Sequence, residues 1–126
     1  MTMNYKLISS DYRFYVSKHT KDVCLRNIET EKKLNTRDPK LPLSIINKNN
    51  AKVYIYLHNG DLRNCIKYFY KLQTLCSDLL TRMSDDVNTG FLLESEYLRF
   101  CDLFKGILDD IRNRILESYN IYMSNK

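Results

Sequence analysis

KVYIYL, Lys52–Leu57, is the stretch whose conformation determines whether the first half of this chain is mainly sheet. Taken alone it alternates. Val53, Ile55 and Leu57 fall on one side and Tyr54, Tyr56 and His58 on the other, which is the period-two pattern of a half-buried strand. Branched and aromatic side chains favour a pleated surface. HNGD (His58–Asp61) follows as turn material, and Asp61 suits the N-cap of a helix beginning at Leu62. On this basis residues 52–57 are expected to form a strand.

Toward the N-terminus, YKLIS (Tyr5–Ser9), YRFYVS (Tyr12–Ser17) and VCLRNIE (Val23–Glu29) have the same character. SSD separates the first two, and KHTKD (Lys18–Asp22) forms a tip before the third. Residues 31–50 lose periodicity and hold both prolines, Pro39 and Pro42. They are expected to be mainly a long polar connection with Leu43–Ile46 tucked against the core, and a loop of that length is often functional.

Toward the C-terminus the period changes. Leu62, Cys65, Phe69, Leu72, Cys76, Leu79 and Met83 recur at three- and four-residue steps, as on one face of a helix. A second stripe runs from Tyr97 through Phe100, Phe104, Ile107, Ile111 and Ile115 to Tyr122. A short turn between them makes an antiparallel pair. The expected fold is therefore α+β: an N-terminal antiparallel sheet of about four strands (residues 4–58), packed on a C-terminal two-helix antiparallel hairpin (61–123). At 126 residues the chain is expected to be a single domain, 1–126.

The turn between the helices, SDDVNTGFLLESE (Ser84–Glu96), carries the outline of a calcium-binding EF-hand loop. Asp85 is at position 1, Gly90 at 6 and Glu96 at 12. Calcium also needs oxygen ligands at positions 3, 5 and 9. Those positions hold Val87, Thr89 and Leu93, so two oxygens are missing. The stretch is expected to be a hairpin turn, and no metal or other cofactor is implied.

Four cysteines, Cys24, Cys65, Cys76 and Cys101, include no CxxC pair and sit within apolar patterns. They are expected to be buried thiols of a reducing compartment. Neither a transmembrane span nor a secretory signal is expected. That makes the cytoplasm the expected location, the host's if the source is viral. Scarce Gly and Ala beside abundant Asn, Lys, Ile and Tyr fit an AT-rich genome, such as those of many phages and large DNA viruses.

Catalysis has little footing. The two histidines, His19 and His58, belong to no nucleophile-and-base pattern. Asp109 and Asp110 are adjacent and would point about 100° apart on a helix. No phosphate-binding or metalloprotease motif is present. The chain is expected not to be an enzyme.

Charge is one-sided. Residues 1–60 carry 11 Lys+Arg against 5 Asp+Glu, and residues 61–126 carry 9 against 10, giving the formal +5 overall. An anionic partner fits the first half. The expected site is an exposed sheet face bearing Arg13, Tyr15, Arg26, Tyr54, Tyr56 and His58, ringed by Lys32, Lys33, Arg37 and Lys52. Bases would stack on its rings while cations neutralise phosphates. The same face would equally serve a protein partner or a second copy in a homodimer. The leading expectation is a viral or phage accessory factor that modulates transcription or nucleic-acid machinery through protein contact. The alternative is a sequence-nonspecific single-stranded nucleic-acid-binding protein.

Overall fold

The computed structural model describes residues 12–27, 29–34, 42–90 and 92–125. Their elements run β1 (Tyr12–Val16), β2 (Val23–Asn27), β3 (Lys33–Leu34), α1 (Pro42–His58), α2 (Leu62–Asn88) and α3 (Glu94–Ser124). The architecture is α+β with a helical majority. One antiparallel sheet of order β1-β2-β3 packs on the helices.

KVYIYL is helix, and this corrects the expected strand. It forms the last turns of α1, whose first half is the stretch expected to be loop. Read from Leu43, the buried positions Leu43, Ile46, Asn50 and Val53 follow a three-and-four spacing that is helical. Two asparagines, Asn47 and Asn50, stand among those buried positions and conceal the stripe. Pro42 opens the helix, where its missing N–H costs nothing and its fixed φ fits. Ile55, placed on the core side by the strand pattern, is 58% exposed.

The strand count is corrected with it. Among the described residues there are three strands, the third only two residues long. The expected strand Tyr5–Ser9 lies outside the described residues. β1 and β2 fall where expected, and Phe14, Val23 and Leu25 on their inner face are fully buried.

Both edges of the sheet are completed by side chains from helices. Beyond Leu25, β3 no longer covers β2. There the Asn47 carboxamide accepts from the Val23 N–H (3.0 Å) and donates to the Val23 carbonyl (3.0 Å), as a neighbouring strand would. Asn50 Nδ2 donates to the carbonyl of Lys21 at 2.7 Å. On the β1 edge the Phe14 N–H donates to Glu96 Oε2 of α3 at 3.2 Å. Beneath the sheet Phe14 meets Phe100 edge-on at 5.0 Å, and Phe100 meets Phe104 at 4.5 Å.

α2 and α3 are joined by a short turn and pack on each other, but α1 packs on α2 as well, so three helices replace the expected two-helix hairpin. Asp61 caps α2 by accepting from the Asn64 N–H (3.2 Å) and Nδ2 (2.8 Å), and these bonds hold its carboxyl below the usual range. The turn is closed by Gly90, whose φ of +82° suits a residue without Cβ, and by buried Leu92, whose N–H donates to the Asp86 carbonyl (3.2 Å). Glu96 is directed to the sheet edge rather than into a calcium loop. The four cysteines are all thiols; Cys65 and Cys76 are buried, whereas Cys24 and Cys101 are half-buried, which corrects the expectation for those two. No helix among the described residues is long and apolar enough to cross a membrane.

Candidate anion and nucleic-acid interface

The outer face of the sheet is built by strand alternation. With Phe14, Val23 and Leu25 inward, Arg13, Tyr15, Arg26 and Lys33 must point outward. The register places Arg13 directly opposite Arg26, and Arg26 directly opposite Lys33. One rung across all three strands therefore carries three cations. Like charges directly opposite each other destabilise a sheet, so folding alone does not account for the arrangement.

A fourth cation joins from α3. Arg99 approaches Glu96 at 3.7 Å, the same carboxylate that receives the Phe14 N–H. Glu96 thus ties α3 to the β1 edge and draws Arg99 over it. Arg13, Tyr15, Arg26 and Arg99, with Phe14, Asn27 and Glu31, line a groove of about 310 Å³. The Arg26 guanidinium lies 4.8 Å from the centre of the Tyr15 ring. Burial, then Cys24 beside it, raises the Tyr15 phenol above its usual value. Glu31 is the one carboxylate among the described lining residues. Neither Arg13, Arg26 nor Lys33 has an ion-pair partner among the described residues; the ion pairs found there all lie on α3.

The expected site is thus split in two. Arg13, Tyr15, Arg26 and Lys33 come together, with Lys32 exposed one residue before Lys33. Lys52, Tyr54, Tyr56 and His58 do not join them, because their segment is helix and not a fourth strand. Tyr54 and Tyr56 are then about 200° apart around α1 and cannot share a face. The Tyr54 hydroxyl donates to Asp110 Oδ2 at 2.9 Å, and burial with this bond pushes its pKa well up. It ties α1 to α3 and is not free to stack. Tyr56 stacks on Tyr68 of α2 at 5.5 Å, beside Lys52. His58 is exposed at the C-terminus of α1, and Arg37 lies outside the described residues.

Two contributors escaped the sequence pattern. Arg99 is distant in sequence and carried no local signal. Tyr68 lay in KYFYK (Lys67–Lys71), where three consecutive rings flanked by lysines were the available clue. Among the described residues no group of three or more His, Cys, Asp or Glu is placed to hold a metal ion. No known protein family, curated protein or solved structure matches the chain.

Proposed function

We propose that this is a non-catalytic binding protein whose outer sheet face takes single-stranded nucleic acid without sequence preference. The observation that carries this reading is the Arg13–Arg26–Lys33 rung, extended by Arg99 around the Tyr15 ring. Guanidinium forks match phosphate oxygens, and a neutral ring offers any base a stacking surface. An anion along the rung would relieve the repulsion that the fold sustains.

The test is fluorescence anisotropy on a labelled oligonucleotide across a salt series. Each lost phosphate contact lowers the slope of log K against log salt by about 0.7 on single strands. Arg13→Gln/Arg26→Gln is therefore expected to lower it by about 1.4. Tyr15→Leu is expected to weaken binding by about 1–3 kcal/mol with the slope unchanged. Wild-type affinity in a folded double arginine variant would end the proposal.

A second reading, an accessory factor docking on a larger machine, is favoured by one further feature. Ile66, Phe69, Tyr70, Ile115 and Leu116 line an apolar groove of about 340 Å³ between α2 and α3. Tyr70 is 67% and Leu116 53% exposed there, and apolar patches of this kind mark protein contacts. A partner captured from lysate that survives nuclease and is lost in Leu116→Asp supports it. Loss of every partner on nuclease treatment leaves the nucleic-acid reading alone.

A further inference from the structure

A second cation–ring cluster lies on the helices, outside the sheet groove. Lys52 of α1 sits 5.0 Å from the centre of the Tyr68 ring, and Lys67 and Lys71 of α2 sit 5.8 and 5.9 Å from it. Tyr56 stacks against the same ring with an interplanar angle of 15°. Three ammonium groups thus surround one ring. Like charges at positions i and i+4, as Lys67 and Lys71 are, weaken a helix, and cation–π attraction to the half-buried Tyr68 ring compensates in part. None of the three lysines has an ion-pair partner among the described residues. The same spacings on α3 are complementary instead, with Arg112 on Asp109 at 2.9 Å and Arg114 on Asp110 at 3.0 Å. Among the described residues, Arg112 and Arg114 are neutralised on α3 while the lysines around Tyr68 are left open.

The direction of this cluster follows from helix geometry. Each residue turns α1 by 100°, so Lys52 lies about 140° from Asn47 and about 160° from Asn50. Those asparagines hold the strand hairpin. The lysine cluster therefore projects from the side of α1 facing away from the hairpin, while the arginine groove lies on the hairpin's own outer face.

We propose that the Tyr68 cluster is a second site for single-stranded nucleic acid, and that one molecule of the protein holds two strand segments at once. The proposal rests on the sheet-face reading for its first site; the Tyr68 site stands on its own geometry. Phosphates would lie among Lys52, Lys67 and Lys71, and the Tyr56–Tyr68 stack would extend onto a base.

The test uses donor- and acceptor-labelled short oligothymidylates, mixed at one protein per two oligonucleotides in low salt. Energy transfer is read alongside the mass of the complex in sedimentation. Energy transfer in a complex of one chain and two oligonucleotides is the expected result. Lys67→Glu/Lys71→Glu, folded by circular dichroism, is expected to abolish transfer and reduce the stoichiometry from two to one. Arg13→Glu/Arg26→Glu is expected to do the same by removing the other site. Wild-type protein that binds one oligonucleotide without transfer overturns bridging and leaves the sheet reading intact. Transfer from a complex containing two chains also overturns it, as does transfer unchanged in the lysine variant. Binding lost only in the lysine variant, and untouched in the arginine variant, overturns the sheet reading while keeping the Tyr68 site.

Discussion

Asn47 is a side chain acting in place of a strand. Its carboxamide presents one donor and one acceptor in the geometry of a peptide group, and both reach the same residue, Val23. Truncation in Asn47→Ala would leave a buried N–H and a buried C=O unmet. Each costs about 1–3 kcal/mol, so a loss of about 2–6 kcal/mol in urea denaturation is expected. Cys76 makes a different residue-level statement. Burial alone pushes its thiol up to about 12, against about 8.5 in an unfolded chain. The folded state therefore holds this proton more tightly. Its contribution to stability is complete below about pH 8.5 and declines as pH rises toward the folded value. Urea midpoints measured from neutral to alkaline pH are expected to fall for wild type and to fall less steeply for Cys76→Ala. A thiol-reactive disulfide reagent at mildly alkaline pH should modify Cys76 only after unfolding.

At the scale of elements, α1 separates two accounts of the same letters. A strand over Lys52–Leu57 makes Ile55 a core residue, whose truncation would cost about 2–5 kcal/mol. A helix leaves it 58% exposed, where Ile→Ala exchanges a branched residue for the best helix former. Ile55→Ala is expected to change stability by less than about 0.5 kcal/mol, and to raise it if anything. The reason α1 was illegible is specific. Its apolar stripe is broken at Asn47, whose carboxamide is spent on hairpin backbone, and at Asn50, whose Nδ2 is, and no local pattern reveals either. α2 and α3 were legible because their stripes are unbroken. β1 and β2 were legible because five-residue runs with one buried face must alternate. The site follows the same division: Arg13, Tyr15 and Arg26 could be placed on one face from alternation, whereas Lys33 fell in the stretch expected to be loop and is placed by β3. Arg99 could not be placed either, since only the Glu96 contact brings it there.

For the whole molecule, cations outnumber their carboxylate partners in two places, around the sheet rung and around Tyr68. With no anion bound, repulsion within each group opposes folding. Raising salt from about 0.01 M to about 0.15 M shortens the Debye length from about 30 to about 8 Å, which screens the repulsion between exposed charges. Tm is therefore expected to rise with salt over this range. Surface ion pairs such as Arg112–Asp109 act in the opposite sense but contribute little each. Arg26→Gln/Lys71→Gln, which removes one cation from each group, is expected to melt higher at low salt and respond less to added salt. A Tm that falls with salt in wild type would show the cations to be neutralised within the fold.

Among the described residues, the side chains that fasten the sheet come later in the chain than the strands they hold. A ribosome delivers β1 and β2 first, then Asn47 and Asn50, and only much later Glu96. Through most of synthesis the outer edge of β1 therefore lacks its carboxylate lock, and an unlocked edge is a template for pairing with another chain. The hairpin's cations, mutually repelling and exposed, are what a nascent chain has at that stage to hold a like copy away. The charge that favours an anion in the finished protein would thus also protect the unfinished one.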